Sequence, residues 1–261
     1  MPIRALPLAT LALCGAAAHA GTVLKMTTRE LPGGAETITT VQADSGKLRV
    51  DSGGPEDTFV IFKNDTLYAV NPKERSYTAM DRESMKKMAD TINPALKQMQ
   101  ERLASMPPEQ RAQIEKMMGG NMPGTSKQAD EEIRQTGKTS KVAGYSCTYS
   151  EVLQNGVVVS ELCIVPVDKL KGGQELYATS VKVTALMEDL LKDLEAPWLK
   201  QMVSRQMENY GKLGGIPVHS RMFENGQAAR ESTLKSIGSE PVAASNFEVP
   251  SGFTRKEMMP R

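Results

Sequence analysis

The chain has 261 residues, 39% of them hydrophobic, with 32 basic and 31 acidic side chains and two histidines. Such a charge balance excludes the dense basic surface of a nucleic-acid binder. Two histidines leave Ser-His-Asp, Cys-His and multi-histidine metal chemistry without a constellation to draw on.

The first twenty residues, "MPIRALPLATLALCGAAAHA", carry one positive charge at Arg4, an apolar run from Ala5 to Ala17, and small residues Ala18 and Ala20 around His19. That is the pattern of a secretory signal peptide cleaved after Ala20, too short for a membrane span. Cys14 follows Leu13, where a lipoprotein signal wants a small residue, so the lipoprotein reading is set aside. Loss of the leader removes Arg4 and makes the basic and acidic counts equal. No later segment approaches the roughly 18 consecutive apolar residues of a transmembrane helix, so 21–261 is expected to be one soluble periplasmic domain.

From Thr22 to Ala79, short β-rich runs such as "TVLKMTTRE", "AETITTVQA", "GKLRVDS", "DTFVIFKN" and "TLYAVNP" alternate with turn signals. This predicts an antiparallel meander, with its clearest hairpin about Asn64-Asp65. The texture changes at Asp81. Met85, Met88, Ile92, Leu96, Met99, Leu103 and Met106 recur at spacings of three and four, which puts them on one helical face. Pro94 is expected to kink or interrupt that helix, and Pro107-Pro108 to open a second that Gly119-Gly120 ends, giving an insert near 81–120.

Strands resume with "EEIRQTGKTSKVAG". A second helical insert is predicted near 175–213, with Leu186, Leu190, Leu194, Met202 and Tyr210 apolar and a break at Ala196-Pro197. The last part is a hairpin about Asn225-Gly226, then a closing "NFEVPSGF". Neither helical block carries enough apolar surface for a core of its own.

Between the inserts lies "GYSCTYSEVLQNGVVVSELCIVP", with the two cysteines expected in the mature chain. A three-residue loop Gln154-Asn155-Gly156 would set Cys147 directly across from Cys163, on one face and within reach of a disulfide. A redox centre wants Cys-x-x-Cys at a helix start and zinc wants four ligands, so the reading is a staple. "TGKTS", 136–140, has Glu132 where a phosphate-binding loop needs its first glycine, and is set aside. The acidic pairs Glu131-Glu132 and Glu188-Asp189 read as solvated faces. His219, alone on a predicted strand, reads as a satisfied or surface residue.

The methionine excess, 16 in all, includes Met85-x-x-Met88 and Met117-Met118 near Met122. Thioethers suit Cu(I), but their place on amphipathic stripes favours a core or adaptable binding surface.

"GKLRVDS", "DTLYAVNPKERSYTAM", "TGKTSKVAGYSCTYSEV" and "NFEVPSGF" stand in the order of a bacterial envelope family. The chain resembles the domain of unknown function family 4412, whose members look like relatives of the periplasmic lipoprotein carriers LolA and LolB. The resemblance implies an α+β fold: an antiparallel unclosed half β-barrel, here of about ten to eleven strands, with the helical inserts covering its opening. It also implies a concave apolar cavity and brings no catalytic residues. The expectation is a non-enzymatic periplasmic binding protein for a lipid, a lipoprotein acyl chain or a similar amphiphile, with no cofactor, no metal and no nucleic-acid partner. "MPPEQRAQIEKMM" is similar to helix openings of the Spy and CpxP stress chaperones. A chaperone or interaction protein is therefore the alternative, and a copper-binding protein the third reading.

Overall fold

The computed structural model of the protein describes residues 19–54, 56–110, 113, 131–196, 199–200, 203–204, 208 and 211–258. Its strands are β1 (His19–Glu30), β2 (Glu36–Asp44), β3 (Lys47–Asp51), β4 (Phe59–Lys63), β5 (Thr66–Asn71), β6 (Ser76–Met80), β7 (Glu131–Val142), β8 (Tyr145–Gln154), β9 (Val157–Pro166), β10 (Gly215–Glu224), β11 (Gln227–Val242) and β12 (Thr254–Arg255). Two long helices interrupt them, α1 (Arg82–Ser105) and α2 (Gly173–Leu191).

The strands form one unclosed sheet in the order β12-β6-β5-β4-β3-β2-β1-β11-β10-β9-β8-β7. Among the described residues the twelve strands exceed the ten to eleven expected, and the sheet is not wholly antiparallel. The addition is the two-residue β12, parallel to β6 and held by Thr254 N–H donating to Arg75 O and Lys256 N–H to Tyr77 O. So short a segment has no alternation for the sequence to display.

The turns at Asn64-Asp65, Asn155-Gly156 and Asn225-Gly226 all have positive φ at both central residues. That is the two-residue geometry matching the right-handed twist of a hairpin. It corrects the three-residue loop expected at 154–156, because Asn155 adopts the left-handed region along with Gly156. Val152 faces Ser160 while Leu153 faces Val158, so Val159 is an extra, bulged residue. Cys163 then stands opposite Tyr149, and Cys147 lies two residues further along on the same side. The cysteines meet on the diagonal, at disulfide distance with Cα atoms 5.3 Å apart.

α1 begins with a reciprocal cap: Ser84 N–H donates to Asp81 Oδ1 at 2.7 Å, and Asp81 N–H donates to Ser84 Oγ at 3.0 Å. It runs through Pro94 without interruption, since α1 spans Arg82–Ser105, and helix resumes at Pro108. α2 starts from Gly172 at φ 73. A Cβ there would lie 2.4 Å from Thr22 Oγ1, so glycine lets the helix start sit hard against β1.

Among the described residues, three apolar clusters join the helices and the C-terminal segment to the sheet. One gathers Leu24, Ala43, Cys147, Cys163, Val165 and Val218 with Leu170 and Leu176 at the start of α2. A second joins Phe62 to Met85, Ala89, Leu186, Leu190, Leu191 and Leu194. The third, Val23, Phe59, Ile61, Val70, Val242 and Phe247, is closed by Val249 and Phe253 of the segment after β11. On β4, Phe59 and Ile61 belong to the third cluster and Phe62 to the second. The alternation of a strand thus places the helices over one face and the C-terminal segment over the other.

Candidate functional site

Strand register lines up the helix-covered face into rows. Thr22, Ala43, Leu48, Phe62, Leu67 and Met80 oppose one another across β1 to β6. Phe62 is 3% exposed, and the row lies under α1 and α2. Burying that ring alone contributes on the order of 2–3 kcal/mol. Two residues along each strand, a second row runs Ile237, Leu24, Val41, Val50, Val60, Ala69 and Thr78. It is buried at Leu24 and opens outward, reaching 40% exposure at Val60. Leu48 packs against both the first and second clusters, so the apolar floor is continuous beneath the helices.

The helices fill the space above the first row with side chains. Met85 is buried and Met88 packs beside it, so the Met-x-x-Met pair belongs to the core. Ile92, Leu96, Met99, Leu103 and Met106 are half-buried. A cleft of about 260 Å³ opens between the end of α2 and the helical residues 199–200 and 203–204, lined by Glu188, Leu191, Lys192, Lys200, Val203 and Ser204. That is smaller than the roughly 300–1,000 Å³ of sites enclosing a drug-sized ligand. Met117, Met118, Met122, Trp198, Met202 and Tyr210 lie outside the described residues.

A different row crosses the other half of the sheet. Arg134, Glu151, Glu161, Arg221, Glu231, Arg29 and Glu36 are directly opposed, one per strand, from β7 to β2. On β1 and β2 this row faces away from the apolar rows, by strand parity. Arg221 Nη2 donates to Glu231 Oε1 at 2.6 Å, and Arg29 lies 3.6 Å from Glu231 Oε2. His219 Nε2 stands 3.1 Å from Glu231 Oε1, and its Nδ1 is 3.5 Å from Tyr149 Oη. The Arg221 bond first, and His219 second, hold the Glu231 carboxyl below the usual glutamate range against the burial that raises it. His219 is therefore a satisfied residue within a cross-strand network.

The sequence reading missed this network because the hairpin register hides it. An unbulged turn at Asn225-Gly226 would put Arg221 against Arg230. Instead Phe223 faces Ala228 and Met222 faces Arg230, so Ala229 is extra and Arg221 meets Glu231. Like charges directly opposed disfavour the unbulged alternative. The charges themselves were the available signal.

The other singled-out residues are dispersed. "TGKTS" is a bulge in β7, with Gly137 at φ 71 and Thr136 Oγ1 donating to Tyr149 O. Asp189 is bonded to Arg82 and Lys192, which hold its carboxyl below the ordinary range, Lys192 contributing most. Glu131 and Glu132 are exposed on β7, and Ala20 pairs with Pro241 in β1. Among the described residues no three His, Cys, Asp or Glu side chains form a group able to hold a metal. No described helix is long and apolar enough to cross a membrane.

No protein-family model matches the chain, and no curated protein matches it. Among solved structures, an uncharacterized conserved protein from Thermus thermophilus aligns over 91% of this chain and 90% of its own, at 8% identity and TM-score 0.45. A structure of PNGF-II aligns over 92% of this chain and 31% of its own, at 11% identity and TM-score 0.39. A LolA superfamily protein from Nitrosomonas europaea aligns over 89% and 91%, at 7% identity and TM-score 0.28.

Proposed function

We propose that this chain is a non-enzymatic binding protein of the bacterial envelope that takes the apolar part of an amphiphile, such as a lipid or an acyl chain, on its helix-covered sheet face. The observation that carries this reading is the second apolar row. It leaves the cover of the helices strand by strand and presents Val60 to solvent, while staying continuous with the buried floor through Leu48. An apolar chain laid along that row replaces water on one side and reaches the helix–sheet interface on the other. The inner end of the row, at Leu24, is covered in this conformation, so a chain that reaches beneath the helices requires one of them to yield. The leader pattern, the paired cysteines and the resemblance to the carrier-like envelope family support the compartment.

The test is a saturable-binding experiment. Delipidated protein should bind an environment-sensitive apolar dye stoichiometrically and release it to long-chain amphiphiles, and native mass spectrometry should find the amphiphile bound. Dye binding that never saturates would remove the reading. A second reading, an interaction protein or chaperone, draws on the half-buried stripe from Ile92 on α1 to Met106 at its C-cap. It would show instead as suppressed aggregation of unfolded clients with no saturable amphiphile site.

A further inference from the structure

α1 and α2 cover the same face, but they are fixed to it differently. α2 is seated on the sheet itself: Glu175 Oε1 accepts from Gly46 N–H at 3.0 Å, and Gly172 abuts Thr22. Six of its 19 residues are buried. Of the 24 residues of α1, Met85 and Ala89 are buried, both in its first two turns. α1 is also tied to α2 and the turn after it, at its first residue through Arg82 to Asp189 and further along through Asn93 Nδ2–H to Asp193 O and Glu195 N–H to Asn93 Oδ1.

The segment that follows β11 reaches the same end of α1 from the far side of the sheet. Its first half is anchored: Phe247 is 1% exposed, Asn246 O accepts from Arg49 Nη1 at 3.1 Å, and Asn246 Nδ2 donates to Gln42 Oε1 at 2.8 Å. The chain then pairs along the outer edge of β6 as β12. Arg255 Nη2 donates to Asp81 Oδ2 at 3.3 Å, where Asp81 is the residue that caps α1. Met258 packs into the cluster of Met85 and Ala89.

We propose that 243–258 is a strap whose tip, Arg255 and Met258, latches the first turns of α1 onto the sheet, so that α1 opens when the tip lets go while α2 stays seated. The strap spans both faces, so anything that loosens the tip is felt at the helix cap. Its link to ligand access rests on the amphiphile reading above; the latch itself does not.

The experiment is hydrogen exchange on the full chain, comparing wild type with Arg255→Ala, Met258→Ala and the double variant. Lys256→Ala is the control, because Lys256 pairs with Glu74 at the sheet edge. In the double variant, amides of residues 86–93 should exchange about tenfold faster while α2 and the central strands keep their rates. The conservative Arg255→Lys should restore most of the Arg255→Ala loss. Unchanged α1 rates, or the same rise throughout α2 and the sheet, would overturn the latch. If α1 loosens and no amphiphile binds, the latch stands and the binding reading falls; if amphiphile binds with α1 rates unaltered by the variants, the latch falls.

Discussion

Arg221 on β10 faces Glu231 on β11 only because Ala229 is bulged out of the hairpin between them. The resulting 2.6 Å bond is shared with His219, and through it with Tyr149 two strands away. The network crosses β8 to β11 at the place where β10 and β11 part: their pairing begins at His219 and Thr233, and the neighbouring Val218 and Leu234 are buried in the first cluster. A polar clasp thus sits beside the apolar one where the sheet divides.

Glu231→Gln should accordingly cost about 2 kcal/mol, since a carboxylate only 20% exposed loses its charge-assisted bonds to Arg221 and His219. Urea unfolding measures it. Glu231→Gln combined with Arg221→Met should cost less than the sum of the two single changes. Additive losses would mean that the pair is not coupled.

Cys147 and Cys163 should be unavailable to thiol reagents in exported, denatured, non-reduced protein. Replacing both by Ser should lower stability by about 3 kcal/mol, the chain-entropy value for a closed loop of some 15 residues. The diagonal placement leaves this estimate unchanged, because loop length and not directness of opposition sets it. Alkylation of both cysteines without reductant would remove the staple.

The legible part of the fold was its alternation. Phe59, Ile61 and Phe62 sort to two faces by pleat alone, and Asn64-Asp65 and Asn225-Gly226 are turns by their chemistry. Leu186, Leu190 and Leu194 fell in the core as their spacing predicts. Bulges were not legible: Val159, Ala229 and Lys235 each shift a register that periodicity would have carried through. The cysteine diagonal and the charged row depend on those shifts. The outward-opening apolar row was illegible for another reason. Val41, Val50, Val60 and Ala69 are far apart in the chain and form a row only when three registers are known together.

Acid should release the start of α1. Burial disfavours the charged form of Asp81, yet the Ser84 N–H, the Ser84 hydroxyl and the Arg255 guanidinium together hold its carboxyl below the ordinary range. A lowered folded value means the contribution is present above the unfolded value and is lost as pH falls through the folded one, below about pH 4. Asp81→Asn keeps a capping side chain and removes the ion pair, so it should flatten the acid dependence of α1 exchange while retaining most of the cap. Asp81→Ala should cost about 1 kcal/mol at neutral pH as well. Identical acid profiles in wild type and Asp81→Asn would place the sensitive group elsewhere.

Val60 provides the sharpest separation of binding from folding. It lies in the open stretch of the second apolar row, opposite Val50 and Ala69, and at 40% exposure it contributes little to the core. Phe62, two residues along and on the same face, is 3% exposed and holds Met85 and Leu190 in their cluster. Val60→Asp should therefore change stability by less than about 1 kcal/mol, the range of exposed positions. It should weaken amphiphile binding at least about tenfold, because a carboxylate in the apolar track must be desolvated by the ligand. Phe62→Ala should do the reverse in part, costing about 3–5 kcal/mol of stability through the cavity it leaves. Calorimetric titration of both variants with one long-chain amphiphile, alongside urea unfolding, distinguishes them. Undiminished affinity in Val60→Asp would mean that the open row is not the track along which the chain is bound.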